Sequence, residues 1–265
     1  MLPCCWAFDH WNLLWKDRDR QPRRPTVEEQ RGHTPCSFQR ASGEPADCQI
    51  ERDTQEFLLK YLPSNASVFE FGARYGTTSC MIASIQHNSG KLVAIEPDNT
   101  VWAALERNRR THACKFATVE GLITDVDNPH FAIRRGSYST NVFNVDAIQH
   151  PKWKRFGQKQ RNQLQYYRWK EVERAFGIYP DTLVLDCEGC VSTLFSGENL
   201  NRLEQVDMII LEHDFAGSRE WVRTLTTSHG FIERVLSVSR FNHSMLVRRA
   251  PSLVSRGSTA PFRAI

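Results

Sequence analysis

The sequence predicts an α/β fold: a mostly parallel central sheet with helices on both faces and a C-terminal antiparallel hairpin. Three observations predict it. Short apolar runs bounded by turn residues alternate with segments of helical period. The runs are apolar at consecutive positions, as expected of strands covered on both faces. Residues Phe231–Val238 and Ser244–Val247 instead alternate, as the arms of a hairpin do. At 265 residues the chain suffices for one large α/β domain or two small ones.

The elements follow in order. Residues 16–46 are rich in Arg, Pro, Gln and Glu without an apolar period, so they cannot bury enough surface to offset their ordering entropy. Residues 1–46 are therefore expected to be a flexible arm, 47–250 the folded domain and 251–265 a loose tail. Ile50, Phe57, Leu58 and Tyr61 fall near helical spacing, and Pro63 follows the run. Val68-Phe69-Glu70-Phe71 reads as a strand ending in Gly72, residues 76–88 as a helix, and Leu92-Val93-Ala94-Ile95 as a second strand closed by Glu96-Pro97. Residues 99–111 are helical, with Val101, Leu105 and Asn108 on one side. Lys115–Ile123 is a third strand. Residues 124–165 are irregular, with short strands near Ala132–Ile133 and Val142–Val145, so an insertion of about 124–168 is expected. A helix covers Trp169–Phe176, strands four and five are Thr182–Leu185 and Met208–Leu211, and a helix over Arg219–Ser228 leads into the hairpin.

Composition excludes some classes. With 40% apolar and 24% charged residues the chain is ordinary for a globular protein, and a net charge of +4 allows an anionic acceptor without requiring one. No apolar run approaches the roughly 20 residues that span a bilayer. Met1–Trp15 is aromatic and interrupted by Asp9 and His10, which reads as a tail and not a signal peptide. The eight cysteines lack paired zinc-ligand spacing; Cys187 and Cys190, with Glu188-Gly189 between them, read as packing thiols in a reducing, cytoplasmic setting.

The first strand, the turn Glu70-Phe71-Gly72-Ala73-Arg74-Tyr75-Gly76 and the following helix form the pattern of a nucleoside-binding loop. Gly72 permits backbone angles barred to other residues and a close approach to a ligand. Gly76 lets the helix start tightly, and the amides of Gly72, Ala73 and the helix N-terminus can receive a carboxylate. Glu70 can face the cationic side of the same ligand. Glu96, twenty residues after Gly76 at the next strand end, can accept both hydroxyls of a ribose. A dinucleotide loop would need G-x-G-x-x-G, whereas Gly72 and Gly76 stand four apart with no third glycine, and Glu70 would repel a pyrophosphate. A sulfonium cofactor carrying an ammonium tolerates that charge, so S-adenosylmethionine is favoured over NAD.

Asp186-Cys187-Glu188-Gly189 ends strand four and Glu212-His213-Asp214 ends strand five, both at the sheet edge of the glycine turn. Methyl transfer needs a deprotonated nucleophile aligned behind the methyl group. Asp186 and His213 are the candidates to take the proton, with Glu188 as a partner and Asp186 also facing the cofactor. Asp186 and Glu212 could equally hold a divalent metal that lowers the pKa of a hydroxyl.

These motifs resemble the FkbM-type methyltransferases, a class I, Rossmann-like family. Val68 to Ser79 looks like their D-x-G-A-N-x-G opening, Val93-Ala94-Ile95-Glu96-Pro97 like their V-x-x-E-P, Leu185-Asp186-Cys187-Glu188-Gly189 like their D-x-E-G, and Ile209-Ile210-Leu211-Glu212 like their late strand ending in Glu. The likeness covers about residues 48–249 and implies S-adenosylmethionine-dependent O-methylation of sugars, polyketides and other hydroxylated compounds. Glu70 stands where the family has Asp and Arg74 where it has Asn.

Between 131 and 170 stand nine basic residues, Arg134, Arg135, Lys152, Lys154, Arg155, Lys159, Arg161, Arg168 and Lys170, opposed only by Asp146. Trp153, Phe156, Tyr166, Tyr167 and Trp169 are interleaved. Such a segment is either a connector whose aromatics pack on the sheet or a platform for an anionic acceptor. It also supports an alternative function, a nucleic-acid-binding or RNA-methylating protein on a methyltransferase scaffold, for which the salt dependence of binding is diagnostic.

Overall fold

The computed structural model describes residues 37–48, 51–127, 129, 131–135, 140–145, 164–194, 199–214, 217–237 and 242–249. Those between 37 and 248 belong to one compact unit, Arg23–Arg248. The outer parts of the expected arm and tail, residues 1–36 and 250–265, lie outside the described residues, as do Lys152, Lys154, Arg155, Lys159 and Arg161.

The main sheet has seven strands in the order β10-β11-β9-β8-β1-β2-β3. These are β1 Val68–Phe71, β2 Leu92–Glu96, β3 Ala117–Glu120, β8 Thr182–Leu185, β9 Met208–Glu212, β10 Phe231–Ser237 and β11 His243–Arg248. The pairs β1–β2, β2–β3, β1–β8 and β8–β9 are parallel; β11 alone runs against its neighbours β9 and β10. The chain winds outward from β1 through β2 to β3, then returns to lay β8 on the other flank of β1. That reversal of strand order opens a crevice above the carboxyl ends of β1 and β8, where ligands of doubly wound sheets bind.

The apolar runs put alternate side chains on opposite faces. Phe69, Phe71, Val93, Ile95, Leu183, Leu185, Ile209 and Leu211 share one buried cluster with Trp169 and Val172 of helix α4 (Trp169–Phe176) and with Val222 and Leu225 of α7 (Ser218–Ser228). The alternate residues Val68, Leu92, Val184 and Ile210 are equally buried, so the sheet is covered twice, as predicted. Among the described residues the other α-helices are α1 Arg52–Tyr61, α2 Thr77–Ile85, α3 Trp102–Thr111 and two single turns, α5 Val191–Leu194 and α6 Asn199–Arg202. α4 is amphipathic, and its first turn is closed by the Arg168 amide donating to Glu171 Oε2 at 3.0 Å. It ends at Gly177, whose φ of 64° is the left-handed angle that favours glycine.

Three expectations are corrected. The third strand breaks at Gly121, where the chain passes so close to the Gln165 carbonyl oxygen that a Cβ would lie 2.6 Å from it. The chain beyond it, β4 Leu122–Ile123, leaves the sheet to pair with β7 Tyr166–Tyr167. The end of the expected flexible arm is instead packed: Phe38 stacks on His112 with ring centroids 4.0 Å apart, Ala46 is buried, and Asn108 binds both the amide and the carbonyl of Gln39. Cys187 and Cys190 are not free thiols but a disulfide, and Cys80 is bridged to Cys114 across a Cα–Cα distance of 5.3 Å. Cys48 is also disulfide-bonded.

The described part of the insertion is ordered by packing. β5 (Phe131–Arg135) and β6 (Thr140–Asn144) form an antiparallel pair. Phe131, Ile133, Val142, Leu122 and Leu164 make a small core, with Tyr166 against it. Trp169 lies under Phe69 and Phe71. Tyr166 and Trp169 therefore follow the packing reading. Among the described residues no helix is long and apolar enough to cross a membrane.

Candidate functional site

A cavity of about 370 Å³ opens above the carboxyl ends of β1, β2, β8 and β9. Its volume falls within the ordinary range for small-ligand sites. Of the residues expected from sequence, Gly72, Glu96, Asp186, Glu188, Glu212 and His213 line it together. Ala73, Gly76 and Glu70 are not in its wall.

The glycine turn is shaped by the protein's own backbone. Gly72 has φ 99°, and a Cβ on it would lie 1.7 Å from the Asp186 carbonyl oxygen. Gly76 has φ 84° and abuts Leu105 of α3. The amides expected to receive a ligand carboxylate already have internal acceptors. Gly72 and Ala73 both donate to the Ile95 carbonyl, at 3.0 and 3.2 Å, and Gly76 donates to that of Ala73 at 2.7 Å. The close approach that requires Gly72 is thus to the loop after β8.

Glu96 is fixed from both sides. Its Oε2 accepts the Arg74 amide at 2.8 Å and its Oε1 the Asp98 amide at 2.7 Å. Burial pushes its pKa up to about 7, although both amides and the Arg74 guanidinium favour the ionised form. Glu70 lies on the other face of β1, with Oε2 taking the Ser79 hydroxyl at 2.5 Å. Its Oε1 meets no hydrogen-bond donor among the described residues, and burial raises its pKa to about 8. It supports α2 from beneath and does not face the cavity.

Acids crowd the far wall. Glu51, at the start of α1, brings a carboxylate oxygen to Asp186 and Glu212, all within 4.8 Å of one another. Burial, then the charge of Glu51, raises the Asp186 carboxyl well above the usual range. Asp214 is pushed up to about 7, mainly by burial, while its Oδ2 accepts the Glu188 amide at 2.7 Å. Glu212 Oε2 accepts the Thr54 hydroxyl at 2.9 Å and lies 3.5 Å from His243 Nε2. The expected metal pair, Asp186 and Glu212, is thus brought together, with Glu51 as a third donor. Carboxylates this close share protons or a cation.

His213 reaches the wall with both ring nitrogens engaged, Nδ1 with Ser218 Oγ at 2.9 Å and Nε2 with Ser244 Oγ at 2.7 Å. Burial holds its pKa below the usual histidine value. A base must present a lone pair to the acceptor, and this ring presents none. The ring ties the start of α7 to β11.

The β5–β6 pair roofs the cavity with Thr140 and Val142. Asp98 holds one side of it. Burial opposes ionisation of Asp98, but bonds from Thr100 and Arg135 keep its pKa below the usual carboxylate range. It receives Arg135 Nε at 2.7 Å, the Thr140 hydroxyl at 3.1 Å and Arg74 Nη1 at 3.5 Å. On the other side the Val142 amide donates to the Glu188 carbonyl at 3.2 Å, and Asn141 Nδ2 binds the Glu188 carboxylate. The roof therefore joins the loop after β2 to the loop after β8.

No protein-family model matches the chain, and no curated protein matches it. Solved structures similar to it include a candidate O-methyltransferase from Klebsiella pneumoniae, at 10% identity and TM-score 0.44 over 92% of this chain and 97% of that one. Another is the precorrin-6y C5,15-methyltransferase from Geobacter metallireducens, at 10% identity and TM-score 0.43 over 76% and 88%. A third is the ribosomal protein L11 methylase from Lactobacillus delbrueckii subsp. bulgaricus, at 12% identity and TM-score 0.41 over 77% and 81%. Likeness at that level says nothing about this chain's activity.

Three residues escaped the sequence reading. Glu51 lies far from the strand ends in sequence and is brought over them by α1. Asp98 follows Glu96 by two positions in Glu96-Pro97-Asp98, where an acid after a strand-end proline could have signalled a loop anchor. His243 sits on the reversed strand β11, whose pairing partner β9 was not legible. Of the basic residues, Arg135 is tied to Asp98, Arg134 to Asn141 at 2.8 Å and Arg168 to Asp127 at 2.6 Å.

Proposed function

We propose that the protein is an S-adenosylmethionine-dependent methyltransferase that methylates a hydroxyl on a small molecule or sugar, related to the FkbM type. One observation carries this reading. At the switch point of the sheet, the buried carboxylate of Glu96 and the backbone of Gly72 line one cavity whose opposite wall is acidic. A ribose pairs with a carboxylate at that strand end. An acidic wall suits a ligand with sulfonium and ammonium charges and repels a pyrophosphate. When bound, S-adenosylmethionine supplies an electrophilic methyl group.

The chain's own residues would do the rest. Glu96 would orient the ribose, and Leu122 and Val142 would shield the cavity from water. Asp214 and Asp186 face the acceptor, and Asp214, with a pKa near 7, is suited to take a hydroxyl proton near neutral pH. His213 passes to a supporting role. A divalent ion on Asp186 and Glu212, joined by Glu51, is the other route to a deprotonated acceptor. The bridged cysteines fit an oxidising compartment better than the reducing one expected from sequence.

Titration calorimetry tests the reading. S-adenosylmethionine and its demethylated product should bind one site per chain, and NAD should not. Uptake of NAD in preference, or of none of the three, would overturn it.

A further inference from the structure

The loop Asp186-Cys187-Glu188-Gly189-Cys190 carries two features that the proposed chemistry does not use. Its cysteines are bridged, and both line the cavity. Cys190 is buried, whereas Cys187 keeps partial exposure. The bridge closes a ring over Glu188 and Gly189, whose φ values are 49° and 106°. The left-handed region is disfavoured for glutamate and persists only when surroundings impose it.

This ring sits where three parts of the site meet. Asp186 precedes it, with its carbonyl against Gly72 and its amide donating to the Phe71 carbonyl at 3.1 Å. The Glu188 amide donates to Asp214. The roof docks on it through Val142, and a Cβ on Gly189 would lie 2.8 Å from the Val142 carbonyl oxygen. Loop, turn, acid wall and roof are therefore registered to one another through Asp186, Glu188 and Gly189, the last two inside the covalent ring and the first next to it. The Cys80–Cys114 bridge, by contrast, lies outside the cavity wall.

We propose that Cys187–Cys190 is a reversible thiol–disulfide site that sets the cofactor-binding competence of the pocket, with the bridged form competent. This inference rests on the methyltransferase reading for its ligand. The reductant is a dithiol, small or protein-borne. One of its thiolates attacks Cys187 Sγ, the more exposed sulfur. The Cys187–Cys190 bond breaks, and Cys190 leaves as a thiolate that takes a proton. The second thiolate then attacks the reductant's sulfur in the mixed disulfide and releases Cys187 as a thiol. The dithiol is oxidised to its disulfide and the protein is reduced by the same two electrons. Without the bridge, Glu188 relaxes from its left-handed angle, and Asp186 and the roof lose their shared anchor.

The test uses the full chain, oxidised or treated with dithiothreitol and alkylated, and its Cys187→Ser/Cys190→Ser and Cys80→Ser/Cys114→Ser variants. The expected result is a dissociation constant for S-adenosylmethionine at least ~10-fold weaker in the reduced wild type, about 1.4 kcal/mol. The Cys187/Cys190 variant should bind as weakly and ignore dithiothreitol, and the Cys80/Cys114 variant should keep the response. Hydrogen exchange over residues 186–190, measured without ligand, should quicken on reduction. Equal affinity in both redox states, or a response lost with Cys80 and Cys114, would overturn the gate. So would unchanged exchange. If the oxidised protein takes up no S-adenosylmethionine while exchange still quickens, the methyltransferase reading fails and gating of that ligand fails with it, a pattern distinct from failure of the gate alone.

Discussion

Gly72 and Asp186 touch backbone to backbone: the space a Cβ would fill on Gly72 lies 1.7 Å from the Asp186 carbonyl oxygen. The two loops that frame the cavity are thus set against each other by an absent side chain. Neither can shift cheaply, because the oxygen belongs to the main chain and the Asp186 amide is bonded to Phe71. Gly72→Ala should cost at least about 3 kcal/mol from steric overlap and a left-handed alanine together. Urea denaturation measures this, and an unchanged midpoint with an unchanged slope would show that the loops do not meet as described.

Glu96 is the residue on which ribose recognition depends, and its two amide bonds make the substitution informative. In Glu96→Gln one oxygen still accepts an amide, but the new NH₂ faces the other donor, so loop and ligand both lose an acceptor. S-adenosylmethionine should bind roughly tenfold or more weakly. Adenine alone, which lacks the ribose, should be affected much less. Calorimetry with both ligands separates loss of the ribose contact from collapse of the pocket.

Proton removal is assigned by comparing two neighbours in the chain. Asp214, raised to about 7 by burial, is ionised only as the pH climbs through neutrality, so turnover should rise across that range. Asp214→Asn should remove that ascending limb and lower kcat about 10²-fold or more, with KM for the cofactor little changed. His213→Ala should instead lower the melting temperature, because the ring bridges Ser218 and Ser244, and should leave the shape of the pH profile intact. The reverse pattern would return the base role to histidine.

Much of this architecture was legible in the sequence, for a definite reason. β1, β8 and α4 fall residue for residue where the apolar periods put them, since strands buried on both faces and a strongly amphipathic helix leave patterns little affected by neighbours. The strand-end acids were legible because the sheet direction follows from strand–helix alternation. Three-dimensional proximity was not. Nothing local says that Glu51 comes over Asp186, that both nitrogens of His213 are taken by serines 5 and 31 residues away, or that Gly72 meets Asp186 and not a ligand. Strand alternation puts Glu70 on the α2 side, one position out of phase with Phe71, which lines the cavity, and no pattern within four strand residues tells which face carries the ligand. The bridges were missed because spacing alone does not distinguish a packing cysteine from a paired one.

Glu70 should also make folding stability depend on pH. Its pKa rises from the ordinary 4.5 to about 8 through burial, so the folded state holds a proton that the unfolded chain gives up. The folded state then binds more protons between those values, and stability falls as pH rises through the window. At about 1.4 kcal/mol per unit the loss is on the order of 3–5 kcal/mol. Glu70→Gln keeps an acceptor for Ser79 and removes the titration, so its thermal melts from pH 5 to pH 8 should be flatter than those of the wild type. Equal slopes would place the proton elsewhere.

The acid trio yields the last prediction. Three carboxylate oxygens lie within 4.8 Å of one another, an arrangement whose mutual repulsion a bound cation would relieve. If Asp186 and Glu212 hold a divalent ion with Glu51, added Mg²⁺ or Mn²⁺ should raise the melting temperature, because an ion that binds only the folded state stabilises it by mass action. A chelator should reverse the gain, and Glu51→Gln, which keeps one oxygen donor but removes a charge, should blunt it. If the ions have no effect and Glu51→Gln stabilises the protein at pH 8, the trio shares protons, and Asp214 is left as the route to a deprotonated acceptor.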